Sequence, residues 1–350
     1  MSTEAKLTPV REAHRFDEAA LAQYLKAELG GFYEPFSILQ FEGGQSNPTF
    51  LLNCGEHKYV LRKKPPGKLL PSAHQVDREY RVMKALERTE VPVPGMYLLC
   101  EDETVIGTTF FVMEYVEGRL FGDLTLPHLA PEERRAIYDE MIRVLAALHS
   151  VDYVALGLSD FGKPGNYFAR QIGRWSKQYV AAKTDHISSM EHLMEYLPQN
   201  VPEDDTTCIA HGDYRMENML FHPNEPKILA LLDWELSTLG HPLADLAYSC
   251  GAYHFEKVGS RSLVGIAGSE TGIPTESEFV EEYCHRTGRA GIPNWNFYMA
   301  FAFFRLASIL QGVYKRGLMG TASSTLALQR GKLARETSDL AWSFIEKGNG

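Results

Sequence analysis

Residues 211–218 read His-Gly-Asp-Tyr-Arg-Met-Glu-Asn, and residues 231–235 read Leu-Leu-Asp-Trp-Glu. Asp213 and Asn218 lie five positions apart, and Asp233 follows Asn218 by fifteen, at the end of an apolar run over 228–232. A carboxylate can accept a proton from an alcohol. An amide oxygen and a second carboxylate can hold Mg²⁺ against nucleotide phosphates. Each residue alone reads as part of a polar loop before a buried strand. The ordered set is the polar inventory of a phosphoryl-transfer site, where catalysis is mostly positioning and charge neutralisation. Asp213 is the candidate base for an acceptor hydroxyl. Arg215 can stabilise charge on the transferring phosphoryl group. Asn218 and Asp233 are the candidate metal ligands. His211 is read as a loop prop. Ser237 and His241 follow, but without a Gly-x-Ser-x-Gly turn they do not suggest a hydrolase triad.

The chain around this block has 350 residues, which favours two lobes over one compact core. Hydrophobic residues make up 44% and charged residues 23%, ordinary for a globular protein. The net charge of -10 argues against broad nucleic-acid binding. Cysteines at 54, 100, 208, 250 and 284 have neither zinc spacing nor an even disulfide count, which fits a reducing cytoplasm. The N-terminal residues lack a signal-peptide core. The apolar stretch 297–310 contains Arg305. It is too short to span a bilayer and reads as a buried helix, so no membrane association is expected. Oligomeric state is not legible.

Upstream, residues 16–29 show helical spacing of Phe16, Leu21, Leu25 and Leu29. Residues 36–41, 49–53 and 58–62 are short β-prone runs broken by glycines, an antiparallel meander. Residues 78–88 return to helix, stopped by Val91-Pro92-Val93-Pro94, and 96–100 and 108–115 read as two more strands. After Gly118 the chain is mainly helical. Pro131 suits a first helical position, and Ile137, Met141, Val144, Leu145 and Leu148 make an apolar stripe. Further helices are expected in 166–197 (one or two), from a Thr275/Glu278 capping box through Tyr283, and over 295–316 and 324–346. The predicted fold class is α+β. A small antiparallel β-sheet lobe with one inserted helix, residues 1–117, precedes a larger helical lobe, 118–350. A ligand cleft is expected at their junction.

In the first lobe, Gly43-Gly44-Gln45-Ser46-Asn47 lies between two predicted strands. Glycine backbone there can approach phosphate oxygens closely. In 59–64, Arg62 and Lys64 share one strand face while Lys63 points away. Arg62 is the preferred phosphate anchor, with Glu79 its expected bidentate partner. Lys63, Lys64 and Lys68 are read as a solvated cluster. Residues 110–118 form an apolar strand running into a connector that can offer backbone groups to an adenine edge.

These residues together resemble the aminoglycoside phosphotransferase and choline kinase group of the protein-kinase-like fold, over about residues 36–315. His211-Gly-Asp-Tyr-Arg-x-x-Asn218 resembles that group's catalytic loop, Asp233-Trp-Glu its metal-binding motif, and Gly240-His-Pro-Leu-Ala-Asp245-Leu-Ala its following structural segment. The resemblance implies ATP and Mg²⁺ as cofactors. Arg62 takes the place of the usual nucleotide-anchoring Lys, and Glu114 and Val116 match linker positions whose backbone contacts adenine. Arg and Lys are not interchangeable at phosphate sites. Residues 60–74 and 165–172 are similar to the kinase-like domain of acyl-CoA dehydrogenase family members ten and eleven, a group linked to phosphorylation of 4-hydroxyacyl-CoA. The 350 residues correspond to the kinase-like part alone.

The expected function is therefore ATP-dependent phosphorylation of a small-molecule alcohol. The alternatives are an aminoglycoside or other small-alcohol kinase and a non-catalytic nucleotide-binding protein. A protein kinase is disfavoured by the short segment between Asp233 and Gly240. Residues 166–180 and 250–270 are the expected acceptor walls, with Tyr167, Arg170, Arg174 and Trp175 as candidates.

Overall fold

The computed structural model describes residues 6–30, 36–42, 47–67, 74–255, 262–321 and 326–348. The chain divides into two compact units, neither contiguous in sequence. One holds residues 1–122, 139–161 and 215–237; the other holds 123–138, 162–214 and 238–350.

The first unit opens with β1 (Leu7–Thr8), α1 (Glu18–Glu28), β2 (Phe36–Phe41), β3 (Thr49–Cys54), β4 (His57–Lys63), α2 (Val76–Leu86), β5 (Met96–Cys100) and β6 (Phe110–Glu114). The strands form one antiparallel sheet in the order β1-β2-β3-β4-β6-β5. Gly55, at φ 61°, makes the two-residue β3–β4 turn, where positive φ matches the strand twist. Asp17 caps α1 by accepting the Ala20 N–H at 2.9 Å. Leu21 and Leu25 of α1 then bury against Phe50, Leu52, Leu61, Phe110 and Val112 of the sheet. Each fully buried Leu or Phe contributes roughly 1.5–3 kcal/mol.

Strand alternation puts Lys63 on the same face as Tyr59 and Leu61, the face that α1 covers. Lys63 is 2% exposed, with Nζ 5.7 Å from the Phe16 ring centre. The expectation of a solvated Lys63 is thus overturned, and burial lowers its pKa. Lys64 is partly exposed, 3.6 Å from Asp77. Lys68 lies outside the described residues.

The chain continues through α3 (Pro131–His149), α4 (Tyr167–Ala182), α5 (Ser188–Gln199), β7 (Cys208–Ala210), β8 (Met219–Phe221), β9 (Ile228–Leu231), β10 (Thr238–Gly240), α6 (Pro242–Cys250), α7 (Glu276–Thr287), α8 (Trp295–Leu318), α9 (Ala327–Gly331) and α10 (Leu333–Gly348). The predicted α3 stripe is buried throughout. The α7 capping box is present, with Thr275 and Glu278 each bonding the other's backbone. Where one C-terminal helix was expected, two form. Gly331, at the end of α9, sits where a Cβ would fall 2.4 Å from Tyr314 Cβ, and glycine weakens a continuous helix.

Helix α8 is long and apolar enough, by length and composition, to cross a membrane. Here it is the central helix of the second unit, packed against α4, α6 and α10, with Phe297, Phe301 and Phe304 buried. The β7–β10 pair leads into residue 211. A Cβ on Gly240 would fall 2.8 Å from Ala210 Cβ and 3.0 Å from the Tyr167 ring, so glycine sets that close approach.

Candidate active site

In the first unit, Arg62 projects from β4 toward α2. Its Nε lies 2.9 Å from Glu79 Oε2, and its Nη2 lies 3.1 Å from Asp233 Oδ1 and 3.7 Å from Glu235 Oε2. The Nε contact is an ion pair rather than an aligned hydrogen bond. Burial opposes the Arg62 charge, but the carboxylates of Glu79, Asp233 and Glu235 outweigh it and raise its pKa. Glu79 is raised to about 7 by burial, with Asp233 and Glu235 adding to the rise; Arg62 and the Asn47 amide pull the other way. The Asn47 side chain is fully buried. Its Nδ2 donates to Glu79 Oε1 at 2.7 Å, and its Oδ1 lies 3.0 Å from His74 Nδ1. Asn47 thus braces the carboxylate that holds Arg62. Gly43, Gly44, Gln45 and Ser46 lie outside the described residues.

Asn218 and Asp233 are brought together by the β8–β9 hairpin, in which Met219 pairs with Leu231. One residue beyond that pair, the Leu232 N–H donates to the Asn218 carbonyl at 2.8 Å. Both candidate metal ligands therefore emerge from the same end of one hairpin. Asp233 takes a left-handed conformation, φ 65°. That is uncommon for a non-glycine residue, although aspartate tolerates it better than most. Such backbone clusters at functional sites. Two hard oxygen donors fit Mg²⁺, which takes one or two protein ligands plus waters and phosphates. Arg215 precedes the short 3₁₀ turn Met216–Asn218, and its carbonyl accepts the Asn218 N–H at 3.0 Å.

At the end of β6, Glu114 donates its N–H to Gly95 O at 2.7 Å and accepts the Gly95 N–H on Oε2 at 3.0 Å. Strand pairing stops there, and Val116 is half-buried in the connector that follows. A Cβ on Gly118 would fall 2.4 Å from Phe221 O, so the connector can pass that backbone only as glycine.

In the second unit, helix α6 organises the loop that carries Asp213. His241 caps the helix by accepting the Leu243 N–H at 3.2 Å. Pro242 occupies the first turn, where its missing N–H costs nothing. Asp245, 1% exposed, accepts the N–H of His211 at 2.6 Å and of Gly212 at 2.9 Å. One turn on, Tyr248 Oη donates to Asp213 Oδ1 at 2.5 Å, and Ser249 Oγ donates to Tyr214 O at 2.9 Å. These three residues stand at i, i+3 and i+4, on one helix face. His211 is buried, and its Nδ1 accepts the Asp213 N–H at 3.2 Å, the loop-bracing contact expected of it. From α8, Arg305 Nη2 donates to Gly212 O at 2.9 Å, and its guanidinium lies 5.7 Å from the Trp175 ring and 5.9 Å from the Tyr248 ring.

The sequence-predicted residues thus fall into two groups. Arg62, Glu79, Asn47, Asn218 and Asp233 cluster in the first unit. Asp213 is held in the second by residues whose roles the motif did not announce: Tyr248 and Arg305, with Asp245 singled out only as part of a structural segment. The available signals were a lone Arg in an apolar helix and the i, i+3, i+4 polar spacing of α6. Among the acceptor candidates, Tyr167 is buried, Arg170 donates to Lys163 O, and Arg174 and Trp175 stack at 5.4 Å. Of the second expected acceptor wall, residues 256–261 lie outside the described residues. Ser237 donates to Trp234 O, a local turn contact.

The family model described as the phosphotransferase enzyme family matches residues 37–298. Acyl-CoA dehydrogenase family member 10 of Mus musculus is 50% identical over 97% of this chain and 32% of its own length. The chain spans 32–45% of the length of the first curated relatives it matches. A solved structure from Ralstonia eutropha, provisionally named an aminoglycoside phosphotransferase, is 51% identical with a TM-score of 0.89, covering 95% of this chain and 99% of that one. A thermostable mutant of an aminoglycoside phosphotransferase, solved with AMP-PNP and hygromycin B, is 16% identical with a TM-score of 0.60, covering 93% and 98%, a likeness of fold.

Proposed function

Because the chain belongs to the phosphotransferase enzyme family, a group of protein-kinase-like fold, we propose that it moves the γ-phosphoryl group of ATP to the hydroxyl of a small molecule, with Asp213 as the base. The carrying observation is the first-unit cluster: Arg62 bridges Glu79 and Asp233 while the Asn218 carbonyl takes the Leu232 N–H. The residue proposed to bind phosphate lies on the sheet, its partner Glu79 on one helix, and the two proposed metal ligands at one end of one hairpin. Asp213 precedes Asn218 by five residues in the same chain segment.

In this reading Arg62, fixed by Glu79, binds the nucleotide phosphates, and the Val116 backbone meets the adenine edge. Asn218 and Asp233 hold Mg²⁺, which when bound neutralises charge on the phosphate oxygens. Asp213 accepts the proton of the acceptor hydroxyl. The acceptor oxygen bonds to the γ-phosphorus as the bond to the β-bridging oxygen breaks, and ADP departs. Arg215 stabilises charge on the phosphoryl group in transit.

The acceptor proposed is a hydroxyacyl-CoA. Two observations support it. The 45–50% identical curated relatives are acyl-CoA dehydrogenases by name. Arg305, seated between Trp175 and Tyr248, puts a cation in the wall beside Asp213. A polycationic aminoglycoside would meet like charge there, whereas an anionic acceptor would not. The test is a phosphorylation screen read by mass spectrometry, with 4-hydroxyacyl-CoAs set against aminoglycosides, choline and sugars. Phosphate on the hydroxyacyl-CoA, lost in Asp213→Asn while ATP still raises the thermal midpoint, is the expected result. Unchanged turnover in Asp213→Asn would sink the assignment of the base, and phosphate on an aminoglycoside alone would sink the acceptor.

A further inference from the structure

A base on a short loop is useful only when its carboxylate is held within about 0.5 Å and 10–20° of the productive geometry. The backbone of 211–212 is fixed by Asp245 and by Arg305. Those contacts leave the Asp213 side chain its own two torsions. The contact that reaches this side chain from α6 is the 2.5 Å hydrogen bond from Tyr248 Oη to Asp213 Oδ1. Charge-assisted O–H···O⁻ bonds of this length are among the strongest in proteins.

Tyr248 is itself well anchored. It sits on α6 one turn from Asp245, and the Arg305 guanidinium lies over its ring. We propose that Tyr248 is the positioning residue for Asp213, orienting the carboxylate, with Arg305 as the strut that ties the Tyr248 ring to the Gly212 carbonyl. The inference rests on the phosphotransferase reading above. Charged and titratable groups packed against the pair include Asp245 on α6, His211 on the loop and Arg305 on α8. Asp245, His211 and Arg305 bond to the loop backbone, whereas Tyr248 donates to the carboxylate itself, so a change at the Tyr248 hydroxyl acts directly on the base.

The test uses ADP formation from Mg·ATP with water as acceptor, with the ATP-induced thermal shift as the control for folding. Tyr248→Phe is expected to lower kcat about 10–100-fold. KM for ATP should stay within about twofold, since nucleotide contacts are untouched. A fall in kcat with KM for ATP held marks a lost alignment of the base rather than lost nucleotide binding. Site-specific 3-fluorotyrosine at 248, which keeps the donor with almost the same shape, should keep kcat within about twofold, and its fluorine resonance should move on Asp213→Asn. A kcat unchanged in Tyr248→Phe, a fall in kcat matched by an equal change in KM for ATP, or a fluorine resonance unmoved by Asp213→Asn overturns the proposal. If Tyr248→Phe loses the ATP shift, the fluorotyrosine enzyme decides alone. A wild-type protein with neither ADP formation nor a nucleotide shift overturns the underlying phosphotransferase reading instead.

Discussion

Arg62 Nη2 donates to Asp233 Oδ1 at 3.1 Å, joining residues 171 positions apart in the chain. The proposed phosphate anchor and a proposed metal ligand are thus one electrostatic cluster, backed by Glu79 behind Arg62. Under the proposed reading, phosphate would compete with Asp233 for Arg62, and a metal would compete with Arg62 for Asp233.

The buried pair predicts an asymmetric stability response. The Glu79 side chain is 2% exposed. Arg62→Ala leaves that carboxylate without its cation, at a cost of about 3–5 kcal/mol. Replacing both residues, Arg62→Met with Glu79→Leu, should recover only part of that loss by apolar packing, because the buried Asn47 amide loses its acceptor, yet still abolish the ATP-induced thermal shift. Urea unfolding of the single and double variants, with and without Mg·ATP, checks both halves.

Metal dependence should map to the hairpin end. Asp233→Asn is expected to raise the Mg²⁺ concentration needed for half-maximal ADP formation at least about tenfold, as loss of a hard anionic ligand implies. Asn218→Ala should act in the same direction. Titration of Mg²⁺ at fixed ATP measures this. An unchanged midpoint in both variants would remove the two residues from the metal site.

Asp245 predicts a combined effect. It accepts two buried backbone N–H groups. Asp245→Ala leaves both unsatisfied and should cost about 1–3 kcal/mol for each. With the Asp213 loop loosened, kcat should drop while KM for ATP changes little. Steady-state kinetics alongside thermal melts test the split.

Asp204 predicts an acid-side stability limb in the second unit. Burial alone would push its carboxyl up, but the Thr206 hydroxyl and the Arg289 guanidinium at 3.0 Å outweigh it, holding the carboxyl well below the usual range. A depressed folded pKa stabilises above the unfolded value, about pH 4, and that contribution is lost as pH falls through the folded pKa. Asp204→Asn should therefore be less stable than wild type at about pH 7 by about 1 kcal/mol, a modest figure because solvent screens this partly exposed pair. The gap should close as pH drops below about 4. A gap that widens in acid would contradict the assignment.

The strand runs and the stripe of α3 were legible because alternation and 3.6-residue periodicity are properties of the local chain. β2 and β5 have the expected bounds, and β3, β4 and β6 lie within one or two residues of them. Lys63 was misread because a charged residue near a strand end looks solvated until the covering element is known; Phe16 and α1 supply that cover. The 324–346 segment read as one helix because nothing local shows that Gly331 must fit against Tyr314.

The proposed chemistry was legible in the order Asp213, Asn218, Asp233, since those residue types at that spacing suit few other tasks. Arg62 and Glu79 could be paired in advance by strand parity and the chemistry of guanidinium and carboxylate. The support of Asp213 by Tyr248, the bracing of Glu79 by Asn47 and the seating of Arg305 between Trp175 and Tyr248 could not be read that way. Each joins side chains at least 32 positions apart. Sequence periodicity reports which face a residue occupies within its own element. Which distant side chain meets that face is decided when the elements pack.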